Sequence, residues 1–130
     1  MGITVLGRTK EEIRHLLKFS AGNIKDIKSF LVIYIIPGDK DEQEAKEEVE
    51  PIVKEISGKI PYEIKPFTGS EDTAIETFIA KREDLRMVFL HVKKRDIREI
   101  LSEDMYANII KKLEKGVIKT PVVFVPHHES

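Results

Sequence analysis

The sequence predicts an α/β domain: a three-layer α/β/α, doubly wound, five-stranded parallel sheet of Rossmann-like type, with strand order 3-2-1-4-5. Two observations carry this. Short apolar runs alternate with longer amphipathic stretches along all 130 residues, and such alternation implies parallel strands joined by right-handed helical crossovers. The second run, Phe30-Leu-Val-Ile-Tyr-Ile-Ile36, is apolar on both faces, as a central strand covered from both sides must be. The length fits one domain, and there is neither an internal repeat nor a low-complexity linker, so residues 1–130 are expected to form a single domain.

The first run, Ile3-Thr-Val-Leu6, ends at Gly7. Thr9 then offers a helix N-cap with Glu12 three residues on, the spacing of a capping box. Ile13, Leu16, Leu17 and Ile24 follow at helical intervals, and Gly22 marks a helix end near Asn23. Pro37-Gly38 stops the second strand. Ala45, Val49, Ile52, Val53 and Ile56 lie on one helical stripe, which Pro51 interrupts; a kink or two helical pieces are expected there. Gly58 ends that helix. Tyr62, Ile64 and Pro66 alternate with Glu63 and Lys65, a half-exposed strand that its proline places at or near a sheet edge.

Thr68-Gly69-Ser70 forms a turn, and Ser70 can cap a helix through Ala74, Ile75, Phe78 and Ile79. Leu85 to Val92 is the fourth strand. A charged stretch follows, then Met105, Ile109, Ile110 and Leu113 mark a helix ended by Gly116. Thr120-Pro-Val-Val-Phe-Val125 is the last strand.

Composition narrows the function classes. A net charge of −1 argues against broad nucleic-acid binding, which needs a basic excess or patch. Without cysteine there is no disulfide framework, thiolate nucleophile or Cys-based metal site. The opening MGITVLGRTKEE meets charge too early for a signal peptide. The run from Phe30 to Pro37 is far short of a membrane span, so a soluble, cytoplasmic protein with no membrane contact is expected. Heavy Lys and Glu use at 35% charged residues, with no Cys, fits a thermophilic source as well as an ordinary solvated surface.

In doubly wound sheets, ligands bind at the carboxyl ends of the strands, where strand order reverses. That selects residues 7–9, 37–38, 68–70 and 91–98. Arg8-Thr9 and Gly69-Ser70 read as two halves of a small-ligand cleft, or as plain turn and cap chemistry. His91 ends a buried strand, lining that cleft or packing as a structural histidine. Lys93, Lys94 and Arg95, with Arg98, form either an anion site or a solvated loop paired with Asp96, Glu99, Glu103 and Asp104. His15 is expected at a solvent-facing or rim position. His127 and His128 are adjacent on an extended tail and point apart, so no metal site is expected. No nucleophile elbow, Walker sequence, dinucleotide fingerprint or zinc-protease motif occurs, and no catalytic residue or cofactor is assigned.

Three pieces carry a family resemblance: the opening strand with its hydroxyl cap, Ile3-Thr-Val-Leu-Gly-Arg-Thr9; the passage through Gly69 into a helix with Ala74-Ile75 and then Val88-Phe-Leu90; and the closing Thr120-Pro-Val-Val-Phe-Val125. Together they resemble the universal stress protein family over nearly the whole chain. Family members that bind ATP have an acidic residue after the first strand and a glycine-rich phosphate loop after the fourth. Here Gly7 and Arg8 stand at the first position, and residues 91–104 contain no glycine. The resemblance therefore implies a regulatory or interaction module that does not bind ATP in the family's usual way. It also implies a homodimer paired through the last strand, with Val122, Val123, Phe124 and Val125 as candidate interface residues and an unspecified protein partner. The alternative is a binder of a nucleotide or other phosphate-bearing small molecule at the carboxyl ends of the strands.

Overall fold

The computed structural model describes residues 2–80, 82, 84–92 and 104–126. In chain order the elements are β1 (Gly2–Gly7), α1 (Lys10–Asn23), β2 (Ser29–Ile35), α2 (Glu42–Ser57), β3 (Tyr62–Phe67), α3 (Glu71–Phe78), β4 (Leu85–Val92), α4 (Asp104–Glu114) and β5 (Val122–Pro126). The five strands form one sheet in the order β3-β2-β1-β4-β5, and every pairing is parallel. This is the doubly wound, Rossmann-like arrangement predicted from alternation. Strand order reverses at β1, which lies between β2 and β4 and so fixes the switch point.

Each face of the sheet has its own core. On one side Ile3, Val5, Phe30, Val32 and Phe89 pack with Ile13, Leu16 and Leu17 of α1 and Ala45, Val49 and Val53 of α2. On the other, Leu6, Leu31, Ile33, Val88 and Leu90 pack with Ala74 and Ile75 of α3 and Ile109 of α4. Consecutive strand residues thus feed opposite cores, which is why β2 needs no polar position. Each fully buried aliphatic or aromatic side chain contributes about 1.5–3 kcal/mol. Among the described residues no helix is long and apolar enough to cross a membrane.

The local signals act largely as the sequence implies. Thr9 caps α1, its Oγ1 accepting from Glu12 N–H at 3.1 Å. The reciprocal bond of a capping box is altered: the Thr9 hydroxyl donates to Glu12 Oε2 at 3.3 Å. Gly58 and Gly116 take positive φ values of 60° and 74° just past α2 and α4, as helix-ending glycines do. α1 ends at Asn23 as expected, but Gly22 takes no positive φ. It remains inside α1, and the left-handed residue of the following turn is Asp26, at φ 61°.

Pro51 gives a second correction. Of the two alternatives expected there, the two-piece one is set aside: one helix runs from Glu42 to Ser57 with Pro51 inside it. Pro51 and Glu47 are both exposed, so the carbonyl that loses its donor lies on the solvent side. Burial of Val49, Ile52 and Val53 on the other side holds the turn together. A third correction concerns Ser70. It occupies the N-cap position of α3 without a side-chain cap bond; its hydroxyl pairs with Thr73 Oγ1 at 2.8 Å instead.

Candidate functional site

The switch point is where β1 and β4 deliver their carboxyl ends side by side. Leu6 pairs with Leu90, which brings Gly7 and His91 level at the end of the sheet. The chain then leaves β1 through Arg8 and Thr9 into α1, while Gly69 and Ser70 lead from β3 into α3. Of the predicted ligand residues, Arg8, Thr9, Gly69, Ser70 and His91 are described; Lys93, Lys94 and Arg95 lie outside the described residues.

Two side-chain groups assemble here. The first joins Arg8 to Glu71, the opening residue of α3. The guanidinium grips both carboxylate oxygens: Nε is ion-paired with Oε1, and Nη2 donates to Oε2 at 3.1 Å. The Glu71 side chain is only 10% exposed and that of Arg8 is 52% exposed. A carboxylate so buried needs such a partner, because desolvation without one costs several kcal/mol. The bidentate fork supplies it.

The second group lies on the α1 face. His91 Nδ1 is 3.7 Å from Glu12 Oε1, an ion-pair distance beyond hydrogen-bond reach. The His15 ring stands edge-on to His91, with centroids 5.6 Å apart and planes at 88°. His15 is half-buried, with a buried Nε2, rather than solvent-facing. The His91 side chain is 2% exposed: it packs against α1 instead of presenting its ring to a ligand. Among the described residues no group of three or more His, Asp or Glu side chains is placed to hold a metal ion.

The glycines at the predicted cleft serve packing. A Cβ on Gly7 would lie 2.8 Å from Ile13 Cγ1 and 3.2 Å from Ile13 N, so glycine there lets α1 approach β1. Gly69, at φ +152°, would place a Cβ 2.7 Å from the Phe67 ring. Both positions are accounted for by protein neighbours.

The turn after β2 repeats the pattern of self-neutralisation. Lys40 N–H donates to Pro37 O at 3.1 Å, placing the Lys40 ammonium on Glu48 and 5.6 Å from the centre of the Tyr34 ring. Tyr34 Oη donates to Glu48 Oε1 at 3.3 Å. The hydrogen bond from Lys40 holds the Glu48 carboxyl below the usual carboxylate range, and burial, then the Glu48 charge, raises the Tyr34 phenol. Arg8 and Lys40 thus both come to the carboxyl edge already paired with carboxylates.

At the far edge, β5 pairs only with β4 among the described strands. Val122, Val123 and Phe124 are half-buried and Val125 is 1% exposed. Val125 therefore belongs to the core, and the other three pack against it while staying partly exposed: Val123 on the α1 and α2 side, Val122 and Phe124 on the α3 and α4 side.

Sequence reasoning missed two partners in these groups, Glu71 and Glu12. Glu12 had a legible signal: it lies three residues before His15 on the same side of α1. Glu71 had none, since its contact with Arg8 spans 63 positions. Comparison of the chain with models of known protein families and with curated proteins found no match.

Proposed function

We propose that the chain acts as a regulatory or interaction module resembling the universal stress proteins, working as a homodimer through β5 and not holding ATP in that family's usual way. The observation that carries this reading is the β5 edge. It presents Val122, Val123 and Phe124, partly exposed and without an intervening charge, at the end of a sheet. Apolar edge strands favour pairing with another chain unless charges, proline or a bulge prevent it. A two-fold axis beside β5 would pair the strand with its own copy, the same patch serving both partners.

Two further features support a non-nucleotide role for the described part of the carboxyl edge. Arg8 is engaged by Glu71, and His91 is turned into the α1 interface. Neither stands ready for a triphosphate in this arrangement.

Sedimentation of the native chain and of Val123→Lys tests the proposal. The native protein is expected to sediment as a dimer and the variant as a folded monomer. A native monomer, or a dimer that survives the lysine, sets the β5 interface aside.

A further inference from the structure

Two imidazoles and one carboxylate meet where α1 crosses the end of β4. Glu12 and His15 stand three residues apart on α1, and His91 lies near the end of β4. Glu12 Oε2 accepts from the Thr9 hydroxyl at 3.3 Å, and Oε1 lies 3.7 Å from His91 Nδ1. The side chains of Glu12 and His91 are only 13% and 2% exposed. The His15 ring stands edge-on to His91. Its Nε2 is buried with no hydrogen-bond partner among the described residues. That nitrogen is tolerated as an unprotonated acceptor, whereas a proton on it would be a buried donor with nothing to receive it.

The other described charges around this end of α1 are committed elsewhere or exposed. Arg8 is engaged by Glu71. Lys10, Glu11, Arg14 and Lys18 are exposed. Glu48, the α2 carboxylate that feels Lys10, is paired with Lys40. β5 brings apolar Val125 level with His91, and β1 ends in Gly7. Among the described residues, one carboxylate therefore serves two rings.

We infer that Glu12, His15 and His91 form a proton-operated gate: one proton on the ring pair draws His91 onto Glu12, and a second, on His15, drives that ring out of its place against β4. The protons belong to the pair in two steps. The first is favourable, because an imidazolium beside Glu12 turns an open contact into a charge-assisted hydrogen bond. The second finds no such partner. Glu12 is by then occupied, and the ring centroids are 5.6 Å apart. Like charges at that separation, partly exposed, disfavour the closed arrangement on the order of tenfold. His15 is half-buried rather than enclosed, so a turn of its side chain carries the charge to water without unfolding the helix. The gate then uncovers His91 beside the end of β1, at a carboxyl edge that is otherwise closed on itself. It uses neither Val122, Val123 nor Phe124, so it stands or falls separately from the dimer.

Proton NMR of the native chain between about pH 8 and pH 5, the range in which histidine changes charge, tests the gate. The through-space contact between the His15 and His91 rings is expected at the upper end and lost at the lower. A contact that persists at the acid end overturns the proposal. In His15→Phe the ring takes no proton, and its contact with the His91 ring is expected to survive acidification. Its loss there would show that α1 loosens for another reason, and the gate falls. Near about pH 6.5, the ordinary midpoint of histidine, the native protein is expected to show a slowly exchanging His91 Nδ1 proton that is absent from Glu12→Gln. A signal that survives Glu12→Gln removes the carboxylate from the device and overturns the first step. Should His15→Phe fail to fold, acidification of the native protein still decides.

Discussion

β3 presents Glu63, Lys65 and Pro66 at one edge of the sheet, whereas β5 presents Val122, Val123 and Phe124 at the other. Both strands have a single described neighbour, so both face the problem of an open ladder. Backbone direction sharpens the contrast. Phe30 N–H donates to Pro61 O and Ile36 N–H to Phe67 O, both at the margin of the β2–β3 ladder. In a parallel strand alternate residues direct their polar backbone groups to the same side, so odd-numbered β3 residues face β2 and even-numbered ones face outward. Pro66 therefore lacks its N–H on the outer side, where the ladder loses nothing and an incoming strand loses a donor. Glu63 and Lys65, exposed and 3.8 Å apart as an ion pair, add charge to the same edge.

β5 differs in carrying no charge. Val88 N–H donates to Pro121 O at 2.9 Å, so Val123 and Val125 face β4 with their backbone groups and Val122 and Phe124 face outward. Pro126, even-numbered too, lacks an outward N–H just as Pro66 does, so the two edges differ in charge and in the outward donors of Val122 and Phe124 rather than in having a proline. One sheet thus carries a charged edge at β3 and an apolar one at β5.

The strongest way to break the contrast is to add a second outward proline to β5, beside Pro126. Val122→Pro removes an outward N–H while leaving the β4 ladder intact. In a two-fold dimer each substitution is felt twice, so two ladder bonds of about 1 kcal/mol are lost. That weakens the dimer by about thirtyfold, readable by sedimentation across a dilution series. A dissociation constant that does not move would show that β5 pairs through side chains alone or not at all.

A smaller effect follows from the reverse exchange. Pro66→Val restores an outward donor to β3 but leaves Glu63 and Lys65 in place. The unfolding free energy should change by no more than about 0.5 kcal/mol, as for other surface positions, and sedimentation should be unaltered. New association through β3 would assign edge protection to the proline rather than the charges.

These edges also show what the sequence reveals and what it withholds. Period-2 alternation and Pro66 place β3 at an edge, and apolarity on both faces places β2 inside, because those properties are local consequences of how many neighbours a strand has. The order of elements and the glycine ends of α2 and α4 are local in the same sense. Pro51 was harder to read, because the cost of one lost bond had to be set against burial of Val49, Ile52 and Val53 by partners distant in sequence. The pairing of Arg8 with Glu71 was not legible at all: only the crossover from β3 back past β1 brings them together. His91 was legible as a strand end but not as a side chain turned onto Glu12 and His15. Its orientation depends on the register of β4 against β1.

The smallest effect sharpens the comparison from the helix side. Over the β3 half of the sheet, α2 is tied down by polar bonds as well as by its apolar stripe: Tyr34 donates to Glu48 and Tyr62 to Glu50, at 3.3 and 3.2 Å. Lys40 joins this set through Glu48 and, by its hydrogen bond, lowers the Glu48 carboxyl from its ordinary value. A carboxylate lowered in the folded state stabilises the fold above its unfolded pKa, and that contribution is lost as pH falls through the folded value. Lys40→Met should therefore raise the Glu48 titration toward the ordinary carboxylate range, measured by carboxyl-carbon NMR. It should also remove part of the acid-dependent loss of stability expected of the native protein as pH falls through the lowered Glu48 value. The β5 edge should be indifferent to the change, since Lys40 and Glu48 act on the other half of the sheet. If the Glu48 titration stays in place, the Tyr34 hydroxyl rather than the ammonium sets the carboxylate, and the polar tie over β3 runs through the strand alone.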